Sequence, residues 1–511
     1  MTKNLSAIVI GGGHNGLVCA TYLASSGVKT TLLEARETLG GGLSKQTLRD
    51  GTAVPGLIQT HHSLNDKIAR ELKLQSTPCE PLPTTLLSTS GEHITLMGDK
   101  VSGAGVSARD ISEYRAFREE YLSYGKALKS LMLNTPPRLK HFDWSDKTVF
   151  AKLGLDLRFG LGKAGLNEFL RVAGMNLFDV LEERFSSELL KGGIAADALF
   201  GNHAGPKTPT TVLPMLMRLF QETGSTASRQ VAQVDNLAGQ LAEAAKSAGV
   251  EIKTSTTVHS VVMDNDKPTG VMLENGDILN ADIIVSNADA KTTFLKLVGA
   301  RNLDGMFTHR VTKTRTNGDV AKFFATFDAT PKFTNLSQNA SSGRFLVAPT
   351  LMYVERAFNH CKYGEFSEAP VLDIHLTTLD NGKSLLSANA MFAPYNLKQG
   401  WEAGRAAFED KILDILSLYA PGIASQVACR ELWSPTDIEK SFHIEGGHWH
   451  HGEMAIDQSF MMRPVPGAGQ YGTPVPGLYL CGAAAHPGGD ITGLPGRNAA
   501  KQILADLKGR R

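Results

Sequence analysis

The stretch Ser6-Ala-Ile-Val-Ile-Gly-Gly-Gly-His-Asn-Gly16 restricts the fold more than any other part of the chain. Ala7 to Ile10 is a short apolar run rich in β-branched residues, which predicts a buried parallel strand. Gly11, Gly13 and Gly16 follow that strand at once as G-x-G-x-x-G. In this motif the first glycine allows a tight turn, the second lets the backbone approach a pyrophosphate, and the third lets the next helix pack closely.

The residues after the motif complete a βαβ unit. We predict a helix over Leu17–Ser26 and a second strand over Val28–Leu33, which ends at Glu34. A pyrophosphate placed at the start of the helix would face the positive end of the helix dipole. The Glu34 carboxylate is then placed to accept hydrogen bonds from both ribose hydroxyls of an adenosine.

A second G-x-G-x-x-G occurs at Gly160-Leu-Gly-Lys-Ala-Gly165. The residues before it, Lys152–Phe159, carry Lys, Asp and Arg among their apolar side chains. They therefore do not have the pattern of a buried strand, and we predict that this copy is a turn between helices.

Composition sets broad limits. A chain of 511 residues, 42% hydrophobic and 20% charged, is expected to form two or more globular domains. A net charge of +1 gives no sign of a nucleic acid partner. The five cysteines include no C-x-x-C pair, so no redox dithiol or disulfide framework is expected and a reducing compartment fits best.

Neither a signal peptide nor a transmembrane helix is expected. The first strand begins near residue 6, and no run reaches 18 apolar residues. We therefore predict a cytoplasmic protein, and peripheral contact with a membrane stays open.

The pattern along the chain indicates that it enters one domain three times. We assign residues 1–70, 230–297 and 466–511 to a nucleotide-binding domain. Residues 71–229 have mainly helical periodicity, whereas residues 298–465 mix strands with helices. These two insertions are predicted to form a second domain that binds the substrate. Within the middle segment, a single strand is predicted over Ile278–Val285, after a hairpin turn at Asn275-Gly276.

The sequence Glu34-Ala-Arg-Glu-Thr-Leu-Gly-Gly-Gly42 follows the second strand directly. It resembles the flavoproteins with two dinucleotide-binding domains, in which such a glutamate precedes a Gly-Gly pair. The resemblance implies FAD, with backbone amides at the glycines reaching the pyrophosphate and ribityl groups. It also implies that Arg36 is a second contact to the phosphates or adenosine.

The C-terminal segments extend this resemblance. Gly446–Glu453, Arg463–Pro466, Gly477–Gly482, His486–Gly489 and Gly496–Ala500 occur in an order similar to that of phytoene dehydrogenase-like oxidoreductases. This family implies that backbone amides before the last helix face the pyrimidine edge of the flavin, where negative charge gathers on reduction.

The chain departs from that family's pattern at Ala483. Many relatives have an aspartate where this chain has Ala483, so the resemblance assigns the contact to the backbone of Gly482 and to Asp490. The expected FAD contacts are Gly11, Gly13, His14, Asn15, Gly16, Glu34, Ala35, Arg36, Gly41, Gly42, Leu43, Val258, Gly482, Asp490, Ile491 and Thr492.

Histidines form two groups, His448/His450/His451 and His61/His62. No carboxylate–histidine helix motif accompanies them, so no metal site is predicted. His451 matches a family histidine and is a candidate for the wall between flavin and substrate, where a near-neutral pKa would suit a general base. His61 is a second candidate, because the chain is expected to return to the flavin ring there.

The sequence therefore predicts an α/β protein, with a Rossmann-like FAD-binding domain and an inserted α+β substrate domain. The expected activity is that of a dehydrogenase or desaturase: a hydride passes from a substrate C–H bond to flavin N5, a double bond forms, and oxygen, a quinone or another acceptor reoxidises the flavin. The expected substrate is a small lipophilic or alicyclic molecule. Two alternatives stay open: a redox-neutral isomerase or hydratase that uses reduced FAD, and a non-catalytic lipid-binding protein similar to GDP-dissociation inhibitors.

Overall fold

A computed structural model describes residues 5–61, 64–75, 82–138, 143–224, 230–231, 234–336 and 343–509. The strands in chain order are β1 Ser6–Ile10, β2 Lys29–Leu33, β3 Gln46–Thr47, β4 Ala53–Val54, β5 Thr60–His61, β6 Thr84–Leu86, β7 Ile94–Met97, β8 Lys100–Gly103, β9 Gln230–Val231, β10 Glu251–Lys253, β11 Val258–Asp264, β12 Lys267–Leu273, β13 Ile278–Asn280, β14 Ile283–Ser286, β15 Val320–Phe327, β16 Gly343–Val347, β17 Leu372–Thr378, β18 Ser384–Met391, β19 Val427–Trp433 and β20 Leu478–Leu480.

The α-helices are α1 His14–Ser25, α2 Asp66–Glu71, α3 Ala108–Ala127, α4 Lys129–Met132, α5 Trp144–Val172, α6 Leu177–Arg184, α7 Glu188–Leu199, α8 Val212–Thr223, α9 Val234–Ser247, α10 Gly305–Thr312, α11 Leu351–Cys361, α12 Trp401–Ser417, α13 Pro435–Phe442 and α14 Leu494–Gly509. No helix in the described ranges is both long enough and apolar enough to cross a membrane.

A parallel sheet in the order β10-β2-β1-β14-β20 carries the glycine-rich turn. Its five strands come from all three of the segments that the sequence assigns to the nucleotide-binding domain. The side chains of Val9, Leu32 and Val285 are buried in neighbouring strands, as expected for a sheet covered on both faces. The predicted α/β class with a Rossmann-like sheet is confirmed.

Helices α1 and α14 approach each other closely enough to require glycine. A Cβ at Gly496 would lie 2.1 Å from the backbone oxygen of Asn15 in α1. A Cβ at Gly16 would lie 2.1 Å from the oxygen of Gly11. Side chains at these two positions would push α1 away from its strand and from α14, which explains the third glycine of the motif.

The predicted strand over Ile278–Val285 is wrong as a single element. The chain pairs β13 with β12 in a three-stranded antiparallel sheet, then crosses to β14 in the parallel sheet. Asp282 lies at the crossing point, where its Oδ2 accepts hydrogen bonds from the amide and hydroxyl of Ser6, at 2.8 and 2.7 Å. A local polar contact therefore separates two runs that look continuous in the sequence.

The second domain is built on an eight-stranded sheet in the order β19-β15-β18-β17-β16-β6-β7-β8. Its apolar face packs on α12 through Phe323, Leu386 and Phe408. The helical periodicity of residues 71–229 predicts mainly helices there, and the structure has helices α3 to α8 in this range. Strands β6, β7 and β8 were missed because each is only three or four residues long. They join the sheet through β6, which pairs with the distant β16.

The second G-x-G-x-x-G lies inside α5, where Gly162 has φ 67° and ψ −177° and breaks the helix. The residues directly before it belong to α5 itself and form no strand. The prediction of a turn between helices is confirmed.

Candidate cofactor site

A cleft with a free volume of about 1350 Å³ opens at the carboxyl ends of β1 and β2. Its lining extends from the glycine turn after β1 to Thr256–Val258 and Ile491, and such a long cleft suits an extended dinucleotide. Of the predicted FAD contacts, the cleft is lined by Gly11, Gly13, His14, Asn15, Glu34, Ala35, Arg36, Gly41, Gly42, Val258, Asp490 and Ile491. Twelve of the sixteen predicted contacts therefore lie on this wall.

Four predicted contacts do not line the cleft: Gly16, Leu43, Gly482 and Thr492. Leu43 is buried in an apolar cluster with Ile58, Ala238 and Ile491. A Cβ at Gly482 would lie 2.3 Å from the Asn287 backbone oxygen, so this glycine permits close packing behind the wall. Their direct contact with FAD stays a prediction.

The glycines form a cradle with space for a ligand. Gly11 has φ 98° and Gly41 has φ 58°, which favour glycine over other residues. Gly13 forms an isolated parallel bridge with Gly40, whose amide donates to the Gly12 carbonyl at 2.9 Å. This contact joins the first turn to the second glycine run. The residues present therefore fit the phosphate groups of a dinucleotide.

A buried polar atom also indicates a ligand. Oδ1 of Asn15 has no hydrogen-bond partner among the described protein groups, and the residue is 2% exposed on the cleft wall. Buried polar atoms in proteins are nearly always paired. An FAD lying along the cleft would supply that partner.

Glu34 is held rigidly at the end of β2. Its Oε2 accepts a hydrogen bond from the Gly12 amide at 2.6 Å, and its Oε1 accepts one from the Arg36 amide at 2.9 Å. The backbone oxygen of Glu34 in turn accepts from the Thr256 amide at 2.8 Å. A carboxylate offers about four acceptor positions, so the remaining ones are available for ribose hydroxyls.

Arg36 closes the adenosine side of the cleft. Its Nη1 donates to Ser44 Oγ at 2.8 Å, and its guanidinium lies 4.8 Å from the centre of the Phe442 ring. Burial lowers the pKa of Arg36, while the charge of Glu34 raises it. The guanidinium is held in place beside the glycine cradle, where its positive charge would attract the negatively charged diphosphate.

Replacing Glu34 by alanine is expected to weaken FAD binding by about 100-fold or more, because two charge-assisted ribose hydrogen bonds of roughly 1.5–3 kcal/mol each are lost. Fluorescence titration of the deflavinated protein with FAD measures this change. Glu37→Ala is the matched control, since Glu37 lies in the same loop but does not line the cleft. Unchanged affinity in Glu34→Ala would contradict the assigned role.

The segment His448–Glu453 forms the opposite wall and contains no strand. His448 is fully buried, with Nε2 3.1 Å from Glu453 Oε1, while His450 Nε2 donates to the Phe200 oxygen at 2.9 Å. Only His451 of the three lines the cleft. The histidines thus have three different environments.

Arg463 fixes this wall. Its guanidinium is buried, and its nitrogens donate to the backbone oxygens of His450, Gly452, Glu453, Gln458 and Ala483, at 2.6–3.3 Å. Burial lowers the pKa of Arg463 to about 10, which leaves it charged at neutral pH. In the sequence, Arg463 appears only as the first residue of the Arg463–Pro466 motif, which does not indicate that it binds the backbone of this wall. The acceptors are carbonyls of several loops, which no residue pattern displays.

The expectation of a near-neutral pKa for His451 is wrong. Burial, together with the nearby charge of Arg463, lowers the pKa of His451 to about 3. The imidazole is therefore neutral at physiological pH. Its Nδ1 is buried and has no hydrogen-bond partner in the described protein. This histidine can offer a hydrogen bond to a ligand in the cleft, but it is a weak base.

The other candidate, His61, is described only by its backbone, which pairs with Gln230 between β5 and β9. Its side chain and the whole of His62 lie outside the described part. The catalytic role of His61 stays a prediction.

Lys322 in β15 is a buried amine close to the cofactor cleft. It is 0% exposed, and Nζ donates to Gln59 Oε1 at 2.5 Å and to Asn389 Oδ1 at 3.0 Å. Gln59 is the chain neighbour of Ile58, which lines the cleft. The Lys322 amine, bound to Gln59, therefore lies just behind the wall of the cofactor cleft. Burial lowers the pKa of Lys322 to about 7, and Asp373 opposes this change.

This lowered pKa makes stability depend on pH. Between about pH 7 and the unfolded value of roughly 10.4, the unfolded chain binds more protons, so the free energy of unfolding rises with pH. We expect the wild type to gain about 2–3 kcal/mol relative to Lys322→Met between pH 6 and pH 9. Urea denaturation at both values measures it, with the exposed Lys332→Met as control. A difference independent of pH would show that Lys322 titrates normally.

Comparisons with known proteins agree with this geometry. A family model described as an NAD(P)-binding Rossmann-like domain matches residues 9–72. Pyridine nucleotide-disulfide oxidoreductase domain-containing protein 2 of Mus musculus is 30% identical over 98% of this chain and 94% of its own. Phytoene desaturase (neurosporene-forming) of Rhodobacter capsulatus is 23% identical over 99% and 95%.

The solved structure of cyclohexylamine oxidase from Brevibacterium oxydans IH-35A has the same fold, with a TM-score of 0.58 and 15% identity over 99% of both chains. The predicted phytoene desaturase-like resemblance, the FAD cofactor and the oxidoreductase class are confirmed by these relatives. The chain belongs to the family of pyridine nucleotide-disulfide oxidoreductase domain-containing protein 2 and is an FAD-dependent oxidoreductase.

Proposed function

We propose that the protein is a dehydrogenase or desaturase that removes hydrogen from a C–H bond of a lipophilic or alicyclic small molecule. The observation that carries this proposal is the apolar part of the cleft, where Leu57, Ile58, Ile444, Trp449 and Ile491 line the wall. Such a lining excludes water and suits an uncharged substrate.

When bound, FAD would supply a hydride acceptor at N5, and a double bond would form in the substrate as a proton leaves the neighbouring carbon for a base or a water molecule. The residues of this chain position the reactants. Arg463 holds the His448–Glu453 wall in place, and the neutral imidazole of His451 contributes a hydrogen bond without adding charge. A neutral imidazole on the face towards the cleft suits an apolar substrate better than an anion.

The names of relatives support the same substrate class. One relative is a phytoene desaturase, and one structural neighbour is a cyclohexylamine oxidase. The first is named for introducing a double bond and the second for an alicyclic amine. We propose that this chain acts on a molecule of this general type, with oxygen, a quinone or another acceptor removing the electrons.

The experiment is anaerobic mixing of the FAD-loaded protein with a panel of alkenes, cyclic ketones, cyclic acids and amines. A substrate bleaches the flavin absorbance and yields a product that has lost two hydrogen atoms, as mass spectrometry detects. A product isomeric with its substrate, formed without net bleaching, would replace the proposal by a redox-neutral isomerase or hydratase. Protein that binds a prenyl lipid but takes up no FAD would favour the lipid-binding alternative.

We propose in addition that α5 contacts a cytoplasmic membrane surface. Trp144, Leu155, Phe159 and Leu170 on this helix are 54–79% exposed. Exposed Trp, Leu and Phe side chains beside lysines suit an anionic lipid interface. We expect Leu155→Glu combined with Phe159→Glu to reduce co-sedimentation with anionic phospholipid vesicles at least tenfold. Leu418→Glu, at an exposed leucine on another helix end, is the control, and equal binding of both variants would refute the assignment.

A further inference from the structure

A second cleft, with about 1380 Å³ of free volume, lies on the far side of the loop that forms the cofactor wall. Glu453, Met454 and Ala455 line it, whereas His451 lines the cofactor cleft. Its other residues include His203, Cys361, Lys291, Asn317 and Thr211, from four distant parts of the chain. The activity proposed above uses none of them.

Three donor groups converge at this cleft. His203 Nδ1 lies 3.5 Å from Asp319 Oδ2 and 3.8 Å from Cys361 Sγ, and Sγ lies 3.9 Å from the same Asp319 oxygen. The circle through three atoms with these separations has a radius of about 2.2 Å, and zinc bonds to O, N and S are about 2.0–2.3 Å long. One ion at the centre therefore reaches all three atoms.

The same geometry argues against a nucleophilic relay. In a Cys-His-Asp relay, the carboxylate holds one ring nitrogen while the other nitrogen faces the nucleophile. Here the carboxylate oxygen and the sulfur both lie nearest to Nδ1 of His203. Convergence of three atoms on one point is the arrangement of a metal site.

Charge also favours a cation. Asp319 and Cys361 are each 3% exposed. The Asp319 carboxylate oxygen and the Cys361 sulfur lie 3.9 Å apart. Two acidic groups that are buried side by side disfavour their own ionisation, and a divalent cation between them would stabilise both anions.

The surroundings hold the donors in place. The His203 amide donates to both Glu453 carboxylate oxygens at 3.2 Å, and the His203 ring packs edge-on against Phe358 with centroids 5.1 Å apart. The Asp319 backbone oxygen accepts from the Ala393 amide at 2.8 Å. Residues that fix the orientation of ligands in this way are usual around metal sites.

We propose that His203, Asp319 and Cys361 bind one zinc-type divalent cation, with a fourth coordination position open to the second cleft. Three protein ligands and an open position characterise zinc sites that hold water or an exogenous oxygen or nitrogen ligand, whereas structural sites have four protein ligands. The site is distinct from the histidine cluster His448/His450/His451 for which the sequence predicted no metal.

The test uses the full-length, FAD-loaded protein, equilibrated with zinc and then passed through a desalting column. Elemental analysis is expected to find about one zinc per chain, and X-ray absorption at the zinc edge about one sulfur neighbour at roughly 2.3 Å. Cys361→Ser and His203→Gln are each expected to retain less than about a tenth of that zinc. FAD absorbance and the melting temperature of each variant, measured without zinc, show that the chain is folded.

Cys429→Ser is the matched control, because Cys429 is a second free cysteine and lies beside Asp50, outside the cluster. It is expected to keep the full zinc content and the sulfur signal. Zinc content that is equal in wild type, Cys361→Ser and Cys429→Ser would overturn the proposal. A wild-type spectrum without sulfur would overturn it too.

Discussion

Purified Gly13→Leu protein is expected to be colourless. Gly13 lines the cofactor cleft, and a Cβ there would meet one described atom within 4 Å, Nδ2 of Asn287 at 2.9 Å. That amide is the end of a side chain and can move, so the leucine fits the fold and extends into the space for the diphosphate. We expect a loss of FAD affinity of at least about 1000-fold. The leucine side chain would occupy the place of the diphosphate and keep its phosphate groups away from the backbone amides.

The measurement is the ratio of flavin absorbance to protein absorbance after equilibration with excess FAD and gel filtration. Gly239→Leu is the control, since Gly239 lies on the exposed face of α9 with no described atom near its Cβ position. Circular dichroism distinguishes a folded variant without FAD from a misfolded one. A folded, yellow Gly13→Leu protein would show that FAD does not lie against the first glycine turn.

Arg463→Met is expected to cause the largest loss of stability. The guanidinium is 1% exposed and is the hydrogen-bond donor to the backbone oxygens of five residues. Leaving buried carbonyls without a donor costs about 1–3 kcal/mol each, so the total is expected to exceed about 5 kcal/mol after partial relaxation. The urea midpoint of the FAD-free protein measures this loss.

Arg310→Met is the control, because Arg310 is an exposed residue of α10 and its loss is expected to change stability by less than about 0.5 kcal/mol. Limited proteolysis gives a local readout, since cleavage between residues 448 and 463 should accelerate in Arg463→Met. If the two variants unfold at the same urea concentration, Arg463 does not support the cofactor wall.

The nucleotide-binding half of the site was predictable because its information is local. A strand, three glycines at fixed spacing, a helix and an acidic residue at the next strand end lie within residues 6–34. Gly16 is required by a close backbone contact that a Cβ would violate, and Gly11 by its φ of 98°. Local steric requirements of this kind appear in the sequence as residue types at fixed spacing.

The His448–Glu453 wall and the eight-stranded sheet of the second domain were less predictable because their contacts join residues far apart in the sequence. Lys322 pairs with Gln59 and Asn389, and Arg463 binds carbonyls of residues as far away as Ala483. Strand β6 pairs in parallel with β16, more than 250 residues later. Burial and then the charge of Arg463 lower the pKa of His451, so its residue type alone suggested a stronger base than the structure shows.

The most direct measurement is the FAD stoichiometry of the wild-type protein. Protein equilibrated with excess FAD, separated from free cofactor and then denatured should release one FAD per chain, while the native sample shows a protein-bound flavin spectrum. A colourless wild-type protein that releases no FAD would contradict the assignment of the cleft between Gly11, Glu34 and His451.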